Sequence, residues 1–151
     1  MRCYLVVVDE SAEARVALRY AARRAARTGG GVVILAVVPP QEFVQWSGVQ
    51  AAMEEEARLR AEAMGLQAAS AIDEEAGVPR EIVVRQGEPV RAIAEVLRER
   101  DDIAALVLAA AAEGTPGPLI EHFSGAAAGA LPCPLVIVPG RLDDATLDRL
   151  A

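Results

Sequence analysis

The chain has 151 residues, a formal net charge of −7, a pI near 4.8, and a composition that is 53% hydrophobic and 25% charged. That length suits one domain with a substantial core, and the composition excludes wholesale disorder. The acidic balance, with fifteen arginines and no lysine, excludes a general affinity for nucleic acid or for an anionic membrane.

Met1-Arg2-Cys3-Tyr4 lacks the layout of a signal peptide, and no apolar run approaches the ~20 residues that span a bilayer. Leu5-Val6-Val7-Val8 is an unalternating aliphatic run, as expected of a strand buried on both faces. Asp9-Glu10-Ser11 follows as a turn, with Ser11 as the expected cap of a first helix. Ala14, Leu18, Ala21 and Ala25 recur at helical spacing, and Gly29-Gly30-Gly31 stops that helix. Residues 32–38 form a second strand, closed by Pro39-Pro40.

A loop carrying Phe43 and Trp46 leads into a long helix over about 49–76. Met53, Ala57, Ala61, Met64, Ala68 and Ile72 form its inner stripe, and the pairs Glu54/Arg58 and Glu56/Arg60 mark its solvated face. Residues 81–85 form a third strand near a sheet edge. Pro89 suits the first turn of a third helix. Residues 103–109 form a fourth strand, and a small-residue loop from Ala110 to Gly117 leads to a helix predicted over roughly 118–131. Pro134 to Pro139 form the fifth strand, after which Asp143 caps a tail helix carrying Leu147 and Leu150. Alternating aliphatic strands and helices predict a parallel sheet covered on both faces.

In such a doubly wound sheet the ligand lies beyond the carboxyl ends of the strands, where the strand order reverses. Asp9-Glu10-Ser11 and Ala110–Gly117 are the two segments that fit. Neither carries G-x-x-x-x-G-K-[ST] or G-x-G-x-x-G. A phosphoryl receiver is excluded, because strand three ends Val84-Arg85-Gln86 and there is no lysine. Nucleophilic catalysis lacks its parts: His122 is the only histidine, and neither Cys3 nor Cys133 has a plausible base nearby. The two cysteines are far apart without metal-ligand spacing, which predicts buried thiols in a reducing cytoplasm.

Val8-Asp9-Glu10-Ser11 closing the first strand, Gly87-Glu88-Pro89-Val90-Arg91-Ala92-Ile93 before the third helix, and Leu131-Pro132-Cys133-Pro134-Leu135-Val136-Ile137-Val138 leading into strand five occur in order across the chain. Together they resemble the universal stress protein family. The resemblance implies that residues 1–151 form one domain with an adenine nucleotide alpha hydrolase-like fold. It implies a five-stranded parallel sheet in the order 3-2-1-4-5, usually paired as a homodimer through strand five, here Leu135, Val136, Ile137 and Val138. Some members bind ATP. The positions matching their adenosine contacts are Asp9 and Val37, and their phosphate loop has the pattern G-x2-G-x9-G-[ST]. Gly114-Thr115-Pro116-Gly117 matches the first half; the second half is missing, and the nearest small pair, Ser124-Gly125, is in reverse order.

Each position also has a plainer reading. Asp9 is either an adenosine ligand or a turn carboxylate at a helix N-terminus. Gly114 and Gly117 read first as a tight turn needing positive φ and second as backbone donors to phosphate. His122 reads first as a surface residue in the first turns of a helix and second as a phosphate contact. Phe43 and Trp46 read as a lid over the pocket or as a loop pinned against its own helix. Gly125 to Gly129 are expected to allow close helix–sheet packing, and Cys133 to be an inert thiol.

The expectation is a non-catalytic stress-response regulatory domain whose adenine-nucleotide pocket, for ATP or AMP, is degenerate. A competent ATP-binding member with slow hydrolysis, and an interaction domain without a ligand, are the alternatives. Between Ala110 and Leu131 there is no cation, whereas Glu113 and Glu121 flank the glycine turn, so AMP or adenosine is expected to be preferred over ATP when magnesium is absent.

Overall fold

A computed structural model describes residues 1–151. The strands are β1 (Cys3–Val8), β2 (Gly31–Val38), β3 (Arg80–Gln86), β4 (Ile103–Ala110) and β5 (Leu135–Pro139). They form one five-stranded sheet in the order β3-β2-β1-β4-β5, every pair parallel. The helices are α1 (Ala14–Thr28), α2 (Ser47–Glu75), α3 (Pro89–Glu99), α4 (Pro118–Ser124) and α5 (Asp144–Leu150).

Successive side chains of a strand point to opposite faces, and the central strands are aliphatic at every position because both faces are covered. Val6 and Val8 of β1, with Val32, Ile34, Ala36 and Val38 of β2, pack under α1, α2 and α5. Leu5 and Val7, with Val33 and Leu35, pack under α3 and α4. On β4 the parity changes: Ile103 shares a face with Leu106 and Leu108. The cause is a register shift in which Cys3 pairs with Ile103 but Tyr4 pairs with Ala105, since one extra residue flips all that follow.

Small residues let the helices lie close to the sheet. The inner face of α2 is Ala57, Ala61, Gly65, Ala68, Ala69 and Ile72. A Cβ at Gly65 would meet Cγ2 of Ile82 at 2.8 Å, so a larger residue here requires α2 or the Ile82 side chain to shift.

Three sequence expectations are corrected. Ser11 does not cap α1. That helix starts at Ala14 with Glu13 as its boundary residue and no side-chain cap, while the Ser11 N–H and hydroxyl both donate to Oδ1 of Asp9 (2.8 and 2.5 Å). The helix predicted over 118–131 ends at Ser124, and only a single 3₁₀ turn at Ala128–Ala130 follows. Gly125, Ala126, Ala128 and Gly129 are exposed, so this small-residue segment is surface rather than packing. The tail helix forms as expected: the Asp143 carboxylate accepts from the Thr146 N–H at 2.8 Å, and Leu147 is fully buried.

Arginine ties hold α5 to α1. Arg19 reaches both carboxylate oxygens of Asp148 (2.9 and 2.8 Å), and Arg23 reaches Asp148 at 3.1 Å. The hydrogen bonds from Arg19 hold the Asp148 carboxyl below its ordinary value of 3.8. Arg100 does the same to Asp102, and Arg85 to Glu99. A carboxyl depressed in the folded state contributes stability above its unfolded pKa, and that contribution is lost as pH falls through the folded value. The melting temperature, followed by circular dichroism, is therefore expected to be flat between about pH 7 and 5 and to fall below about pH 4. Asp148→Asn should make that fall shallower, and an unchanged acid limb would show that this pairing does not couple to folding.

Candidate functional site

Beyond the carboxyl ends of β1 and β4 the chain leaves toward opposite faces of the sheet, which opens a crevice there. Asp9, the residue after β1, stands at the junction of two cavities. The larger, about 560 Å³, runs from Asp9 past Val37 and Pro39 at the end of β2 to Ala57, Arg60, Ala61 and Met64 of α2. The smaller, about 150 Å³, is bounded by Asp9, Ser11, Glu13, Pro116 and Gly117. Val7, Asp9, Pro118 and Leu119 line both.

Local sequence explains the geometry. Ser11 satisfies only Oδ1 of Asp9, an Asx-type turn that leaves Oδ2 free to accept a further donor. The 110–117 loop closes with the Ala111 N–H donating to the Pro116 carbonyl at 3.1 Å. Gly114 (φ 75°) and Gly117 (φ 115°) occupy conformations that side-chain-bearing residues rarely adopt, and so meet the tight-turn requirement. Gly117 is the cap position of α4, with Pro118 in its first turn. Gly140 contributes by close approach instead: its N–H donates to the Ala110 carbonyl at 2.8 Å, and a Cβ there would meet that oxygen at 2.4 Å.

The structure thus brings Asp9, Val37 and Gly117 to one crevice. Gly114, at the loop tip, lines neither cavity. Ser124 and Gly125 lie at the far end of α4, where the Ser124 hydroxyl donates to the Ile120 carbonyl at 2.6 Å. They are about two helical turns from Gly117. His122 is exposed and edge-on to its neighbour Phe123, ring centres 4.9 Å apart. Phe43 and Trp46 are 88% and 72% exposed, so they neither cover the pocket nor pack on their own helix.

The charges differ from those expected. Glu113 and Glu121 line neither cavity; Asp9 and Glu13 supply the negative charge of the smaller one. Arg60, placed by sequence on the solvated face, rims the larger cavity and pairs with Glu56 at 3.2 Å. It lies on one side of the helix with Ala57, Ala61 and Met64, and that i+3, i+4 spacing was the available signal. Glu88 also lines the cavity, but its oxygens accept from the N–H groups of Val90 and Arg91 (3.2 and 3.1 Å). The start of α3 is therefore already occupied by its own side chain.

No cluster of three or more His, Cys, Asp or Glu residues is placed to hold a metal ion. Burial pushes both thiols, Cys3 and Cys133, above their ordinary value of 9.0, although Cys133 is only half-buried. No helix is long and apolar enough to cross a membrane.

Several solved structures share this fold. Universal stress protein UspA from Lactobacillus plantarum superimposes with a TM-score of 0.74 at 19% identity, over 91% of this chain and 97% of that one. A universal stress protein from Archaeoglobus fulgidus gives 0.69 at 20% identity, over 91% and 98%. A universal stress protein in complex with cAMP gives 0.63 at 18% identity, over 91% and 96%. No curated protein matches the sequence. The pattern of the universal stress protein family matches residues 2–139, and the chain belongs to that family.

Proposed function

We propose that this protein is a non-catalytic regulatory member of its family that binds an adenine nucleoside or nucleotide of low charge. The supporting observation is the division of the crevice at Asp9. The larger, mostly apolar cavity at Val37 has room for adenosine, and the free oxygen of Asp9 suits a ribose hydroxyl. The smaller cavity, where a polyphosphate would extend, offers Asp9 and Glu13 and no cation. The solved neighbour in complex with cAMP carries a nucleotide with one negative charge, which accords with that division. The one hydroxyl–carboxylate pair in the crevice, Ser11 and Asp9, is taken up in the turn that follows β1, and the one imidazole, His122, is elsewhere.

In this reading the protein works as a homodimer joined through β5, in the cytoplasm. β5 is an edge strand ending in proline, and Ile137 on it is 42% exposed. A bare apolar edge invites pairing with another chain.

Denaturing the purified protein and analysing the released small molecules by mass spectrometry tests the proposal, together with calorimetric titration of adenosine, AMP and cAMP. An adenine compound in the supernatant, or micromolar binding that weakens about tenfold or more in Asp9→Ala, is expected. No binding of any of the three at millimolar concentration would leave an interaction domain without a ligand as the correct description.

A further inference from the structure

Eight large apolar residues are exposed, and five of them (Phe43, Trp46, Val49, Leu59 and Leu66) lie between 43 and 66. A helix resting on a sheet ordinarily keeps its apolar side chains on one stripe. α2 spends that stripe on Ala57, Ala61, Gly65, Ala68 and Ile72 against the sheet and α1, yet carries Leu59 (55% exposed) and Leu66 (65% exposed) as well. Seven residues apart, the two leucines fall on one line down the outward face, separated by ~10 Å at 1.5 Å per residue. Ala52 and Ala63, both exposed, extend that line at the same helical spacing.

Acid flanks the ridge on both sides. By helical spacing Glu55 and Glu62 run along one side, while Glu56 and Glu74 run along the other. Glu56 pairs with Arg60, and the exposed Arg58 stands one turn from both Glu55 and Glu62 without bridging either, so Glu55, Glu62 and Glu74 outnumber the one unpaired cation beside them. A leucine ridge between free carboxylates is complementary to one kind of surface, an apolar stripe flanked by lysine or arginine. A second copy docking by this same face would bring carboxylates against carboxylates, and nucleic acid or an anionic membrane would be repelled in the same way.

We propose that the outward face of α2 is a docking site for a basic amphipathic helix of a partner protein, anchored on Leu59 and Leu66 and steered by Glu55, Glu62 and Glu74. An exposed apolar patch rimmed by polar groups marks such sites, and a partner helix with apolar residues at i, i+3, i+4 and i+7 presents the matching stripe. The face lies on the sheet end opposite β5, because α2 covers β2 and β3. Occupancy there is therefore compatible with pairing through β5.

The test uses the full-length protein and a synthetic 18-residue helix of leucine and lysine, with leucines at i, i+3, i+4 and i+7 spacing. Controls are a shuffled peptide of equal composition, a leucine–glutamate counterpart, and vesicles containing anionic lipid. Calorimetry is expected to give micromolar binding of the leucine–lysine helix. Leu59→Ser/Leu66→Ser should weaken it about tenfold or more, and Glu55→Gln/Glu62→Gln should lower its dependence on salt. Leu59, Leu66 and Glu55 are exposed and Glu62 is half-buried, and an unchanged melting curve in both variants shows that the fold is intact. The proposal is overturned by equal binding of the shuffled or the acidic peptide, by binding that both double variants retain in full, or by no binding at all. Uptake onto anionic vesicles, or a fall in oligomeric mass in Leu59→Ser/Leu66→Ser, would assign the face to a membrane or to a second copy instead.

Discussion

In the absence of magnesium, AMP is expected to bind about a hundredfold more tightly than ATP. ATP brings about four negative charges, and the space beyond the ribose is the compartment bounded by Asp9, Glu13 and Gly117. At ~6 Å and an effective dielectric near 20, each carboxylate–phosphate charge pair repels by about 3 kcal/mol before salt screening, equivalent to roughly a hundredfold in affinity. The backbone N–H groups at the start of α4 offset part of that. Glu13→Gln removes one of the two carboxylates and should recover a large part of the gap for ATP while leaving AMP nearly unchanged. Magnesium should narrow the difference, because it can bridge a carboxylate and a phosphate. Calorimetry decides the matter: submicromolar ATP affinity without magnesium, or equal ATP affinity in Glu13→Gln, would show that the acidic compartment does not set selectivity.

Ile137→Pro is expected to convert a dimer joined through β5 into monomers with little loss of melting temperature. The reason lies in ladder geometry. The Leu106 N–H donates to the Pro134 carbonyl at 3.0 Å, and Leu106 is in register with Leu135. In a parallel pair such a residue sits between two residues of its neighbour, here Pro134 and Val136. Val136 therefore bonds inward to β4, whereas Leu135 and Ile137 direct their N–H groups to the open edge. Proline at 137 removes an edge donor and leaves the ladder to β4 whole. A twofold axis makes the loss count twice, so at about 1 kcal/mol per hydrogen bond the dimer weakens about thirtyfold, and ring contacts add to this. Val136→Pro, by contrast, breaks the β4–β5 ladder and should lower the melting temperature. Sedimentation equilibrium reads both variants; a monomeric unmodified protein at micromolar concentration, or a dimeric Ile137→Pro, would remove β5 as the interface.

The strands and most helices were legible because their causes are local. Short β-branched aliphatic runs such as Leu5–Val8 and Ile34–Val38, bounded by turn residues, read as strands buried on both faces, and Pro89 and Asp143 mark helix starts that the structure reproduces. The end of α4 was not legible. Nothing between Phe123 and Leu131 breaks a helix as firmly as proline does, so a run of alanine and glycine reads as helical. Ser124 to Ala130 are mostly exposed, and an exposed segment lacks the packing that would otherwise stabilise a helix. The same surface position explains why Ser124 and Gly125 do not reach the crevice. That Asp9 and Val37 share one crevice was legible because they stand at the ends of adjacent strands, and parallel strands deliver their carboxyl ends to one rim.

What the sequence determined by itself, then, is everything that depends on neighbours in the chain: strand and helix identity, family, acidic character, and the absence of a lysine that phosphate chemistry would use. What only the tertiary structure decided is which charges face one another. In the linear order Glu13 is one acidic residue before a helix and Arg60 one residue of a solvated face, and Glu113 and Glu121 stand closest to the glycine turn. Their roles exchange because α1 starts at the lip of β1 and α2 passes over the end of β2. Electrostatic energy depends on distance through space, and the fold alone sets that distance.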